Sequence, residues 1–509
     1  MARRRIAVLL GVLKQGVRVW RPIVVLALVR AAGGCHGADQ PVPQPAPTKP
    51  SPLPAPVIAP PVVPDFPETT RSLELVRTVG VRLEPAEDGK RIGTVSIDTR
   101  VGWTRTAAGK GCDKPWIEIL PRGWICGDFV KPSTKPPYGQ EVPQLDRGEI
   151  VPGTYGKVTG QGAVIYTLDK KKPSKADKKK GPVKSPSDLD TAKPKLVEQE
   201  PIVGSLNVRD YDDVTIDGKL YWKVAQREPQ YVLASAISKH QPSHFVGARL
   251  GDETGLPSTI TPGPASLATI AFVWPRGGMP QAWTTAKPTG AGAMRQLNAR
   301  VLVPILETQA GKDGKPTAYR IGDGEWMSPA DLRVFAPSEP PPTLAPGERW
   351  LDVDLDDEIL VAFEGDVAVY ATMVSSGGKD TPTETGVYRM WLKESEADMK
   401  GLNGEDPYSV ATVPWTQFFS PEKGLALHTA YWHDGFGHAR SHGCVNLAPR
   451  DARWLYFWSD PQVPPGWTMA AGVVEAPGSI VRIRSAADPT PELKGYAKKV
   501  AEARAQPQP

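Results

Sequence analysis

The segment 425–447, LALHTAYWHDGFGHARSHGCVNL, gathers one of the chain's four cysteines and four of its seven histidines. Cys444 is separated from His442 by a single glycine, Gly443, and His428 lies 16 residues upstream of Cys444. A thiol near neutral pH becomes a nucleophile only with a base or a cationic neighbour to remove or balance its proton. His428, His433, His438 and His442 supply candidates for that role within one short span. Two other readings stay open on residue chemistry alone. Cys444 could be a structural core cysteine, or the Cys/His set could hold zinc, although His428, His433 and His438 lack the tight C-x2-C pairing of a structural site.

The run Ser441–Leu447, SHGCVNL, resembles the signature of the L,D-transpeptidase catalytic domain, the YkuD family. Upstream, TPTETGVYRM at 381–390 is similar to the family's TPxGxF/Y segment, where a strand leads toward the active site. Downstream, APRDARWLYFW at 448–458 resembles the family's short helix after the nucleophile. The resemblance covers roughly 345–485. It implies that Cys444 is the nucleophile and His428 the general base, oriented by the Thr429 carbonyl. The family's upstream pair is HG or HS, and here it is His428-Thr429. His442 would support the thiolate, Gly443 would allow the tight turn, and the N–H groups of Gly443 and Cys444 would bind an oxyanion. Ser441, Asn446, Arg440, Arg450 and Trp432 are candidates for substrate contact, Ser441 also bracing the loop. Asn446 stands where many members carry Arg, so the anchoring of a carboxylate passes to Arg440 or Arg450. No cofactor is implied.

Several elements must position these groups. The segment 350–377 alternates as a hairpin with its acidic DLDD near the turn. VYRMWLK at 387–393 reads as one strand, and 394–424 as an insertion or substrate-side loop carrying Trp415, Phe418 and Phe419. That loop, with Trp432 and Phe436, would shield a thioester from water. SIVRIR supplies a closing strand.

The rest of the chain reads as delivery. Residues 1–35 carry seven basic residues and no acidic one around IVVLALV, an export signal too short to span a membrane. Cys35 after AAGG is a candidate for lipidation and membrane anchoring. Removing this segment takes the net charge from +5 to −2, so basicity gives no case for a nucleic-acid partner. Residues 36–69 are a proline-rich stalk. At 70–135 short strand signals between Gly and Pro, with Trp116 and Trp124 as core or groove aromatics, resemble bacterial SH3-like domains. Cys112 and Cys126, 14 apart, are a candidate disulfide in an oxidising compartment.

Residues 136–200 read as short strands plus a Lys/Pro-rich linker, and 201–336 as degenerate SH3-like modules in which GEWMSPADLRV echoes GWICGDFV. A linker at 337–347, the catalytic domain at 348–485 and a polar tail at 486–509 complete the chain. With 49 glycines and 55 prolines the expected class is mainly β: small SH3-like barrels before a YkuD-type β-rich domain. The implied function is a peptidoglycan L,D-transpeptidase making 3→3 cross-links through a cysteine thioester, in the periplasm or cell envelope, with stem peptides and the sacculus as partners. L,D-carboxypeptidase activity, wall-protein attachment and a non-catalytic murein-binding scaffold are the alternatives.

Overall fold

A computed structural model describes residues 66–159, 163–168, 196–201, 204–251, 256, 270–335, 337, 339–401 and 408–506. The segment read as an export signal, Cys35, most of the expected proline-rich stalk and residues 169–195 of the Lys/Pro-rich run lie outside the described residues.

In the C-terminal part, β1 (Arg349–Asp354), β2 (Ile359–Glu364) and β3 (Val367–Met373) form an antiparallel meander. Then come β4 (Gly386–Arg389), β5 (Leu392–Gly401), β6 (Tyr408–Ser420), β7 (Leu425–Thr429) and β8 (Val445–Leu447). The helix α1 (Pro449–Trp458), strands β9 (Trp467–Ala471) and β10 (Ile480–Arg484), and the helix α2 (Gly495–Ala505) follow. One sheet has the order β3-β2-β1-β10-β4, with β10 parallel to β1. The other holds β9, β5 and β6, with β7 on the edge of β6 and β8 parallel to β7.

The alternation expected over 350–377 is present, but both faces are buried. Leu351, Val353, Leu360 and Ala362 enter a core shared with Trp415, Phe419, Leu427, Val445, Leu455 and Trp467. Trp350, Ile359, Val361 and Phe363 enter a second core with Ala430 and Phe436. Asp352 and Asp354 share the Trp350 face, and the parallel register sets them beside Arg482 and Arg484. Arg482 grips Asp352 with two bonds of 2.8 Å, and Arg484 bridges Asp352 and Asp354. Burial pushes the Asp352 carboxyl up, but the two guanidiniums outweigh it and hold it below its ordinary value.

Two corrections concern this part. VYRMWLK is not one strand, because β4 pairs with β10 while β5 belongs to the other sheet. The expected loop at 394–424 is largely the β5–β6 hairpin, and Trp415 and Phe419 are fully buried core residues that do not shield the site. The helix after the nucleophile is anchored at both ends. At its first turn Asp451 accepts from Tyr370 Oη (2.7 Å), Thr372 Oγ1 and Gly247 N–H (2.9 Å). At its C-terminal end the buried Lys393 Nζ donates to the Tyr456 and Ser459 carbonyls (2.7 and 2.5 Å), groups a helix end leaves unpaired. The polar tail packs as well: Ala497 and Val500 of α2 are buried, and Arg504 pairs with Glu348 at 3.0 Å.

Upstream, three small β modules each close with a strand, a 3₁₀ turn and a strand: 124–133, 230–239 and 325–334. The echo between GWICGDFV and GEWMSPADLRV reflects this shared ending. Trp116 and Trp124 are buried, and Cys112 and Cys126 are joined by a disulfide with Cα atoms 5.7 Å apart. The expected boundary at 136–200 shifts. Tyr155–Val158 and Val164–Leu168 are already strands of the second module, and Val164–Leu168 pairs antiparallel with Leu196–Pro201. The Lys/Pro-rich run therefore joins two strands of one sheet and does not separate modules.

The first two modules are built onto a C-terminal sheet, while the third forms sheets of its own. Arg91–Val95 of the first pairs with β9, where Gly93 lies so close to the Trp467 ring that a Cβ would meet it at 1.9 Å. Ser205–Arg209 of the second runs parallel to β6.

Candidate active site

Parallel pairing of β7 with β8 brings the two ends of the 425–447 segment together. His428 is in register with Asn446, and one step further back would set Cys444 against Ala426. Strand alternation then points His428, Cys444 and Asn446 to one face. All three line a cavity of about 340 Å³ with Trp432, His433, Arg440, Ser441 and His442.

His428 is buried, and its Nδ1 lies 3.0 Å from the Thr429 carbonyl. A carbonyl oxygen only accepts, so Nδ1 carries the proton and Nε2 is left as a base. Burial lowers the imidazole to about 4, with the Thr429 bond opposing, so the ring is neutral at pH 7. Burial likewise pushes the Cys444 thiol up to about 11, against the Ala426 N–H, which favours the thiolate. The resting pair is therefore a neutral thiol and a neutral imidazole.

The nucleophile loop is held by hydrogen bonds. Gly443 has φ +112°, a conformation that favours glycine. Ser441 Oγ donates to the Cys444 carbonyl at 2.5 Å and accepts from Gly443 N–H at 3.1 Å. That bond occupies the Gly443 N–H, one of the two groups expected to face an oxyanion. The TPTETG segment braces the same loop: Thr381 Oγ1 donates to Ser441 O (3.0 Å) and Thr383 Oγ1 to Gly443 O (2.8 Å).

His442 is exposed and stacks on Tyr408 with ring centres 4.5 Å apart. Asn446 is 3% exposed and meets His433 Nε2 at 3.0 Å, while His433 Nδ1 accepts from Gly435 N–H at 3.0 Å. His438 lies against Trp274 at 4.9 Å. These histidines are spoken for separately and do not converge with Cys444 on one point. Among the described residues, the grouping of three donors close enough for a metal is Cys112, Cys126 and Asp128, whose two sulfurs are bonded to each other.

Of the candidate substrate contacts, Ser441, Asn446, Arg440 and Trp432 line the cavity. Arg450 does not: it lies at the start of α1, along a separate depression with Glu141, Arg453 and Trp454. Phe436 is a core residue, 1% exposed. Sequence reasoning also missed Met399, Tyr408 and Val410 of the β5–β6 hairpin, and Lys157, Ser205, Asn207 and His240 of the second module, all of which line the cavity.

Comparison with known proteins bears on the same region. Residues 348–483 match the family model described as the L,D-transpeptidase catalytic domain, YkuD. L,D-transpeptidase 2 of Mycobacterium tuberculosis is 29% identical over 162 residues, 30% of this chain and 33% of that protein. The chain thus spans about a third of the length of this curated relative. Among solved structures, a mutant of the Enterococcus faecium L,D-transpeptidase is 26% identical, covering 27% of this chain and 50% of that one, with a TM-score of 0.22. An L,D-transpeptidase from Mycobacterium smegmatis is 20% identical, covering 31% and 65%, with a TM-score of 0.23. In its residues 348–483 the chain carries a catalytic domain of the YkuD L,D-transpeptidase family.

Proposed function

We propose that this protein is a peptidoglycan L,D-transpeptidase that forms 3→3 cross-links through a thioester on Cys444. The observation that carries the reading is the pairing, in one cavity, of a free thiol with an imidazole whose Nε2 is left unprotonated by the Nδ1–Thr429 bond.

With the thiol raised to about 11 and the imidazole lowered to about 4, a standing thiolate is disfavoured. Proton transfer to His428 Nε2 therefore accompanies formation of the C–S bond to the carbonyl of the third stem residue. Cys444 N–H would donate to the oxyanion. Collapse breaks the C–N bond, and the imidazolium returns its proton to the leaving D-alanine amine. An amine of a second stem then attacks the thioester, His428 takes its proton, and the thiol leaves with that proton restored. Water in place of the amine would make the enzyme an L,D-carboxypeptidase, and an amine on a wall protein would make it an attachment enzyme. The same domain belongs in the periplasm or cell envelope, where the sacculus is.

A tetrapeptide donor, offered with and without a second stem, tests this reading. Cross-linked dimers joined between two third-position residues are expected at high acceptor concentration. Predominantly tripeptide under those conditions would replace transpeptidation with hydrolysis.

A further inference from the structure

The second module, outside the catalytic domain, forms a wall of the Cys444 cavity. Ser205–Arg209 runs beside β6 with Asn207 in register with Val410, and Tyr155–Val158 follows with Lys157 in register with Asn207. Val410, Asn207 and Lys157 thus stand in one row across three strands, and all three line the cavity. At about 4.8 Å per strand the row is roughly 10 Å long. That is the span of about three extended peptide residues.

Two features give the row a chemistry. His240 lies with Nε2 2.8 Å from Asn207 Oδ1. The amide oxygen accepts, so His240 donates, and the Asn207 NH2 is presented as a donor. Burial, aided by the Lys157 charge, keeps His240 neutral and in that role. The charges are also one-sided: Lys157 and Arg440 are exposed cations, and no Asp or Glu is among the described residues lining the cavity. Such a wall fits an anion that also accepts hydrogen bonds.

We propose that Lys157 and Asn207 form a carboxylate subsite for the peptide substrate, gripping a free carboxylate a few residues from the carbonyl that Cys444 attacks. The inference rests on the acyl-transfer reading above. It makes the second module a specificity element, where the sequence suggested only delivery. The carboxylate can belong to the donor stem or to the acceptor stem, and the two half-reactions separate them.

The test uses the full chain, Lys157→Met, and peptides with free or amidated carboxylates. In the donor arm, acylation of Cys444 without acceptor is followed by intact-protein mass. In the acceptor arm, preformed acyl-enzyme is challenged with free or amidated acceptor. In wild type, amidation is expected to cost about tenfold in one arm through KM, the worth of one charge-assisted hydrogen bond. In Lys157→Met the free peptide already shows that loss, and amidation costs nothing further. A merely structural role for Lys157 would slow free and amidated peptides alike, and that result overturns the subsite. Equal wild-type rates for both peptides in both arms overturn it too. A wild-type enzyme that never acylates would instead sink the acyl-transfer reading beneath it.

Discussion

His428→Ala is expected to slow acylation of Cys444 by about 10²–10⁴-fold, the usual worth of a positioned general base. The pH profile should change shape as well. In the wild type, His428 stays neutral down to about 4, so the rate should be level across the neutral range and fall only as pH approaches that value. Without the base, the rate should follow ionisation of the thiol, which burial raises to about 11, and climb about tenfold per pH unit. His433→Ala and His438→Ala should cost far less. The first engages Gly435 and Asn446, and the second packs on Trp274. Acylation rates of the three variants from pH 5 to 9 decide it. A level profile at the wild-type rate in His428→Ala would hand the base to another group.

Arg482→Met should carry the largest stability cost, about 3 kcal/mol, because it leaves Asp352 buried with half its compensation. Asp352 is fully buried and Arg482 supplies its bidentate pair, with Arg484 remaining. The sign against pH follows from the pKa direction. In the wild type the Asp352 carboxyl is held below its ordinary value, so its stabilisation is present above that value and lost as pH falls through the folded one. In the variant, burial is less opposed and favours the protonated acid, so the deficit should shrink in acid. Urea midpoints of both proteins at pH 4 and pH 7 measure this. A deficit that is absent at pH 7, or that grows in acid, would contradict it.

How much of this was legible in the sequence depends on how local each contact is. The nucleophile loop, the His428–Thr429 pair and the helix after Cys444 lie within one short segment, and their residue types announced them. The buried Asp352/Asp354 and Arg482/Arg484 lattice was also written in the sequence, as DVD and RIR with the same period of two. The pattern alone does not pair them, because charged residues read as solvated until two strands are known to be neighbours. The β5–β6 hairpin was hidden for a different reason. A register shift between Ala397 and Met399, Pro414, and positive φ at Thr412 and Trp415 break the alternation by which strands are recognised. The cavity wall had no local signal at all. Asn207 meets Val410 only because an edge strand of one module pairs with an edge of another domain's hairpin, and nothing in either segment's pattern encodes that choice of partner. Arg450 failed in the opposite sense: proximity to Cys444 in sequence did not survive the turn into α1, which carries it to a different depression.

The central claim is that the Cys444 sulfur carries the acyl group. Intact-protein mass after mixing the full chain with tetrapeptide stem, followed by peptide mapping under conditions that preserve thioesters, tests it most directly. The expected result is a mass gain equal to the stem less one molecule of D-alanine, located on the peptide that contains Cys444, and no gain in Cys444→Ala. Release of D-alanine at the wild-type rate by Cys444→Ala, or an adduct mapped to another residue, would contradict it.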